Sequence, residues 1–205
     1  MKRCAILGAS GHGKVIAELA ELNHFTEIHF FDDRWPELQS VEHWSVLGDT
    51  SELLSLFQRY ELVVVAIGNN KVRLEKFSLL KSAGARLSFI AHPSAIISRY
   101  SILGEGCVVM ANAVINSFSS VGEACIVNTN ATIDHDCVIG DGVHICPGVN
   151  LSGGVKVGSK SWIGVGSQIK QLVCVGDEVV VGAGATVLHD VTDSMTVVGC
   201  PARPI

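Results

Sequence analysis

From Ile97 to Val187 every sixth residue is aliphatic. The series runs Ile97, Leu103, Val109, Ile115, Val121, Val127, Ile133, Ile139, Ile145, Leu151, Val157, Ile163, Ile169, Val175, Val181 and Val187, sixteen positions without a slip. Four residues after each stands a small or β-branched side chain, beginning Ser101, Cys107, Ala113, Ser119, Cys125, Ala131, Cys137 and Val143 and ending at Val191. Neither the 3.6-residue helix nor the two-residue strand generates a period of six. A fixed short period is the mark of a chain that coils and stacks on itself. A longer period lies above it, because Gly104, Gly122, Gly140, Gly158 and Gly176 stand 18 residues apart. Three hexads therefore close one coil. The spacing predicts a triangular parallel β-helix with the aliphatic column inside and the small column in the corners. Sixteen hexads predict about five coils, roughly 24 Å tall at ~4.8 Å per strand.

The first 91 residues follow a different rhythm. Strand signals at 3–7 (RCAIL), 27–31 (EIHFF), 62–68 (LVVVAIG) and 86–90 (RLSFI) alternate with helical stretches. Asp49 with Glu52 three residues later marks a helix start, and Gly84 a helix end. The order βαβαβαβ predicts a small Rossmann-like parallel sheet with right-handed crossovers. Two domains are expected, 1–91 and 92–205. Composition fits: 21 glycines and 6% aromatics suit tightly turned β structure. A net charge of -5 without a basic stripe argues against nucleic acid, and no nucleic-acid partner is expected. Seven cysteines without CxxC spacing read as reduced thiols, and Cys107, Cys125 and Cys137 as small corner residues. The start MKRCAILGASG is too short in apolar residues for a signal segment, and no apolar run approaches the ~20 residues of a membrane span. A cytoplasmic protein with no membrane insertion is expected.

Chemistry must come from the exceptions to the pattern. In the hexad IDHDCV, His135 and Asp136 lie between inward Ile133 and Cys137, where side chains point outward. A neutral imidazole with pKa of about 6.5 is a natural general base, and an adjacent carboxylate could raise its basicity. The alternative is a solvated histidine on a β surface. His144 falls one face further round, and packing of prisms side by side, most simply as a trimer, would bring separate faces into one pocket. GASGHG at 8–13 joins the first strand to the first helix. Its GxxGxG spacing departs from the dinucleotide fingerprint but still suits a phosphate at a helix start. Asp32, at the end of the second strand, stands where a carboxylate often takes ribose hydroxyls, and AIGNN (66–70) lies near the same crevice.

Taken together, GASGHGKV, FFDD, AIGNN, HPSA, IDHDC, the hexads and the terminal VVGCPAR resemble the hexapeptide-repeat (left-handed β-helix) acyltransferases. The likeness is to their sugar-nucleotide branch, which includes the UDP-4-amino-sugar N-acetyltransferase of bacillosamine synthesis and the sialic acid O-acetyltransferases. The resemblance implies a homotrimer with acetyl-CoA lying along the coils. It implies His135 as base and Asp136 as its acidic support, where the bacillosamine enzyme has Glu. It further implies Asn128 near the acceptor, His144 at the acetyl-CoA end, the Gly153 N–H facing the thioester oxygen, and cofactor contacts at Val165 and at Ala183, the last replacing a glycine. Ser10, Gly11, His12, Asp32, Asp33 and Gly68 match the family's nucleotide-sugar pocket. The implied activity is acetylation of the 4-amino group of a UDP-4-amino-4,6-dideoxy-N-acetyl sugar by direct transfer, with no metal. Three alternatives stand: a sialic acid O-acetyltransferase, a zinc lyase needing three convergent imidazoles, and a non-catalytic nucleotide-binding scaffold.

Overall fold

The computed structural model describes Met1–Ile205. It divides into two compact units, Met1–Ile90 and Ala91–Ile205. In the first unit, strands β1 (Arg3–Leu7) and β2 (Glu27–Phe31), the short hairpin β3 (Ser40–Val41) and β4 (Trp44–Ser45), and β5 (Leu62–Val65) alternate with helices α1 (Gly11–Leu22), α2 (Thr50–Leu56) and α3 (Asn70–Ala83). The parallel sheet has order β2-β1-β5. Its central strand is buried from Cys4 to Leu7, as a parallel strand covered on both faces must be. The Asp49 carboxylate accepts from the Ser51 and Glu52 amides at 2.6 and 3.1 Å, and Glu52 reaches back to the Asp49 amide at 3.1 Å. This reciprocal cap starts α2. Gly84 closes α3 at φ 88°, a left-handed position open to glycine.

The expected fourth strand at 86–90 does not join this sheet, which has three strands. Only the Arg86 carbonyl approaches it, accepting from the Val63 amide at 2.8 Å. A further strand would have to bury both faces, whereas Arg86, Ser88 and Phe89 are exposed. Ile90–Ala91 instead forms the first rung of the coiled unit.

That second unit is a β-helix of two-residue parallel strands arranged in three faces. One face stacks Ile96–Ile97, Val114–Ile115, Thr132–Ile133, Asn150–Leu151, Gln168–Ile169 and Thr186–Val187. Pairing is in register at 18 residues, as in Ile115 with Ile133 and Ile133 with Leu151. The predicted aliphatic column forms the core. The six rungs of this face are all counted hexads, and five more hexads fall on each of the other two faces, but the third face holds eight strands, so the coils number about six rather than five. Hexad counting misses rungs that lack a large aliphatic residue or change length. Ala91 supplies an early rung, and the last coil is shortened, so that Val181 pairs with Val197.

The 18-residue glycine series has a steric cause. A Cβ on Gly104 would lie 2.6 Å from the Gly122 carbonyl carbon and 2.7 Å from the Glu123 amide nitrogen. Backbone of the next coil occupies that space. The corner thiols serve the same stacking, since Cys107 and Cys125 donate to the carbonyls of Gly122 and Gly140 at 2.9 and 3.1 Å. Gly104→Ala should therefore destabilise the fold by about 1–3 kcal/mol through overpacking. Urea unfolding measures this, and an unchanged midpoint would contradict the steric account.

Candidate active site

The turn after Thr132–Ile133 carries the sequence IDHDC into a corner of the β-helix. Side chains of consecutive residues in an extended chain diverge, but Asp136 has φ 60°, a left-handed conformation that Asp tolerates. The chain folds there, and the Asp136 carboxylate meets His135 Nδ1 at 2.7 Å. The shorter acid thus reaches the ring without a glutamate's extra methylene. Neighbouring coils pin both residues. The Asp136 amide donates to the Ser117 carbonyl at 3.2 Å, and the Gly154 amide donates to the His135 carbonyl at 2.8 Å.

A carboxylate accepts only, so it holds the proton on Nδ1 and leaves Nε2 with its lone pair. The Asp136 hydrogen bond, followed by the charge of Asp134, raises the His135 pKa above the ordinary imidazole value. The ring lies against Gly153, one coil along, where a Cβ would stand 2.6 Å from Cε1 and 2.7 Å from Nε2. The absent side chain is what gives the imidazole its place. The coil-to-coil ladder uses the amides of Ser152 and Gly154 and leaves that of Gly153 out.

Asp134 is a residue that the sequence reading passed over. Its Oδ1 accepts from the His135 amide at 2.8 Å and from Asn116 Nδ2 at 3.0 Å. The signal was present, because Asn116 and Asp134 are one coil length of 18 residues apart.

Asn128 and His144 come together on another face. Asn128 Oδ1 accepts from the Thr129 amide at 2.8 Å, which orients the amide so that Nδ2 donates to His144 Nε2 at 3.0 Å. His144 is buried and packs edge-on against Trp162, with ring centroids 4.4 Å apart. Val165 and Ala183 are exposed turn residues of successive coils, with the Gly184 amide donating to the Val165 carbonyl at 2.8 Å. No group of three or more His, Cys, Asp or Glu side chains is placed to hold a metal ion. The three convergent imidazoles that a zinc lyase needs are not assembled in the chain.

In the first unit a cavity of about 240 Å³ is lined by Leu7, Gly8, Ser10, Asp32, Asp33, Ala66, Ile67 and Gly68. Ser10 caps α1 through its backbone alone. The three glycines of GASGHG divide by role. A Cβ would meet the Ala66 carbonyl oxygen at Gly8 and the Gly8 carbonyl at Gly13, while at Gly11 it would meet nothing within 4 Å. Gly8 and Gly13 thus serve internal packing, and Gly11 leaves the helix start open. His12 stands in the first turn of α1 and does not line this cavity. Its Nε2 is buried without a hydrogen-bond partner, and burial, with the nearby Arg73 charge, lowers its pKa to about 4.

Asp32 is likewise committed to the protein. Oδ1 accepts from the Arg34 amide and Nε at 3.0 and 2.7 Å, and Oδ2 from the Ala9 amide and Arg34 Nη2 at 2.7 and 3.0 Å. The Arg34 hydrogen bonds lower its pKa to about 2. Instead of offering free acceptors to a ribose, it braces an exposed guanidinium that sequence reasoning missed. Asp33 accepts from Thr50 through Oδ1, at 2.5 Å from the hydroxyl, and from Lys76 Nζ at 2.7 Å through Oδ2.

Asp136→Asn should lower the His135 pKa towards the ordinary imidazole value, because the protonated ring loses its anionic partner. NMR titration of the ring measures it, and an unmoved titration would show that the pair does not tune the base.

The PglD N-terminal domain family matches residues 3–80. UDP-N-acetylbacillosamine N-acetyltransferase of Bacillus subtilis (strain 168) is 36% identical over 114 residues, which is 54% of this chain and 52% of that protein. The match therefore spans about half the length of this curated relative. Among solved structures, the acetyltransferase domain of PglB from Neisseria gonorrhoeae FA1090, in complex with acetyl coenzyme A, aligns with TM-score 0.95 and 43% identity over 100% of this chain and 99% of that one. PerB from Caulobacter crescentus, in complex with CoA and GDP-perosamine, aligns with TM-score 0.94 and 35% identity over 100% and 98%. With its hexad register and a matching fold along its whole length, the chain belongs to the hexapeptide-repeat sugar acetyltransferase family.

Proposed function

We propose that this protein transfers the acetyl group of acetyl-CoA to the 4-amino group of a nucleotide-linked amino sugar, with a UDP-4-amino-4,6-dideoxy-N-acetyl sugar as acceptor. The observation that carries the reading is the His135–Asp136 pair, 2.7 Å apart in the corner of a β-helix and lying against Gly153. The names of the relatives agree in chemistry, covering N-acetylation of a bacillosamine precursor and complexes with acetyl coenzyme A and with GDP-perosamine.

In this mechanism the amine lone pair attacks the thioester carbonyl carbon and His135 Nε2 takes a proton from nitrogen. The Gly153 N–H, outside the coil ladder, stabilises the oxyanion of the tetrahedral intermediate. Collapse releases the thiolate, which the imidazolium protonates. Direct transfer needs no cysteine, and Cys137, the one next to the pair, is buried, which raises its thiol pKa. Asn128 and His144 bound the acceptor and donor regions, Val165 contacts the pantetheine arm and Ala183 the cofactor, and the cavity of the first unit, lined by Ser10, Asp32, Asp33 and Gly68 with Gly11 and His12 at the adjoining helix start, takes the nucleotide sugar. In this reading the donor lies between neighbouring prisms of a homotrimer, and the enzyme works in the cytoplasm. No helix is long and apolar enough to cross a membrane.

Incubation with acetyl-CoA and the amino sugar, followed by free-thiol release, tests the proposal. His135→Ala should lower kcat by about 10²–10⁴-fold, the usual worth of a general base. Wild-type release no faster than the blank would overturn the activity. Full release by the alanine variant would overturn the base.

A further inference from the structure

Asp134 takes no part in the transfer described above, yet its carboxylate faces the reacting nitrogen. Its two oxygens are unequal. Oδ1 is occupied, accepting from the His135 amide and from Asn116 of the preceding coil. Oδ2 lies 4.0 Å from His135 Nε2. That is beyond hydrogen-bond distance, so ring and carboxylate do not form a second tight pair. They are two acceptors with a gap between them, on side chains 42% and 60% exposed.

The gap has a definite chemistry. An atom about 2.8 Å from both acceptors would view them at an angle of about 90°, close to the angle between two N–H bonds of one nitrogen. An amine can fill both positions. A hydroxyl has one proton, and after giving it to Nε2 it presents only lone pairs to the carboxylate. An aliphatic amine also arrives largely as the ammonium ion, which an anionic oxygen attracts and a neutral hydroxyl does not match.

We propose that Asp134 Oδ2 is the second acceptor for the attacking amine and the group that selects an amine over a hydroxyl. The inference rests on the reading of His135 as the base of an acetyl transfer. Ammonium first loses one proton to water. In the amine so formed, one N–H points to Nε2 and the other to Asp134. The lone pair forms the N–C bond, the carbonyl π electrons move to oxygen, and the first N–H proton passes to Nε2. The returning electrons break the C–S bond, and the thiolate takes the proton from the imidazolium. The second N–H remains as the amide hydrogen of the product, still held by Asp134, whose own protonation never changes. Amine and acetyl-CoA thus become amide and free thiol without a further reactant.

Asp134→Asn keeps an acceptor for the His135 amide and for Asn116 but turns a donor towards Nε2. Binding of the amino sugar and of its 4-hydroxy analogue, measured by calorimetry without acetyl-CoA, is the direct test. The variant should lose about tenfold or more in affinity for the amine and none for the hydroxy analogue. Its kcat/KM for the amine should fall at least as far, with KM for acetyl-CoA within about twofold of wild type. Asn116→Ala leaves the charge in place and removes one of the two donors to Oδ1. It should weaken amine binding less than Asp134→Asn and spare the hydroxy analogue. Equal losses for both ligands would mark a merely structural residue, and unchanged amine affinity would remove the proposal outright. A wild-type protein that acetylates amino sugars while either result holds sinks the role of Asp134 alone. Absence of any wild-type acetylation sinks the activity beneath it.

Discussion

The 18-residue register is the constraint on which the second unit depends. Parallel strands stack with each residue over its equivalent in the next coil, as Thr132 over Asn150 and Ile133 over Leu151. A slip of one residue would turn every inward aliphatic side chain out to water, so the core fixes the register throughout. The same register then decides what meets at a corner. Asn116 lies beneath Asp134, Ser117 beneath His135, and Gly153 above it. The site is a column through successive coils, held by core packing that has no chemistry of its own. Catalytic geometry supported in this way needs no loop to close around it, which is the condition for preorganised electrostatics.

Within that column, each residue type answers to a neighbour along the coil axis. Gly153 lacks a side chain because the imidazole occupies the space that a Cβ would take. Asp136 adopts φ 60° because successive coils turn at that corner through a left-handed residue, Phe118 before it and Gly154 and Leu172 after it. The turn requirement and the dyad are therefore one feature. A conformation imposed by coil closure also brings two consecutive side chains together, and an aspartate both tolerates it and spans the 2.7 Å contact.

Much of this was legible in the chain itself, and the losses have physical reasons. The period of six declares itself because every interior position must be aliphatic, and IDHDC stands out because it breaks nothing inside while adding reactive groups outside. Counting aliphatic residues undercounted the coils, since Ala91 and the shortened return to Val197 satisfy the ladder without keeping the pattern. The stretch 86–90 has strand-like residues but exposes Arg86, Ser88 and Phe89, and burial rather than propensity decides membership of a parallel sheet. Asp32 has the residue type and position of a ribose ligand, but Arg34, two residues on, claims both of its oxygens. Asp134 was hidden for the opposite reason. The coil length of 18 shows itself in the glycines, and the same spacing sets Asn116 against Asp134.

His12 and His135 are shifted in opposite directions, and the difference follows from burial. His12 lies inside the first unit, where burial and the Arg73 charge hold its pKa at about 4. At neutral pH it carries no charge to offer a phosphate. In the proposed reading, an anion at that turn would meet the backbone N–H groups of α1, which Gly11 leaves uncovered, and the guanidinium braced by Asp32. His135 is exposed between two carboxylates that raise its pKa. Water and anions both favour its protonated form, so in the proposed transfer a proton taken from the amine is stabilised where it arrives. A base of this kind works because its proton-bound state is supported while Nε2 stays open to substrate. A histidine whose Nε2 is buried, as in His12, meets neither condition, even though it sits in the more conspicuous glycine-rich motif.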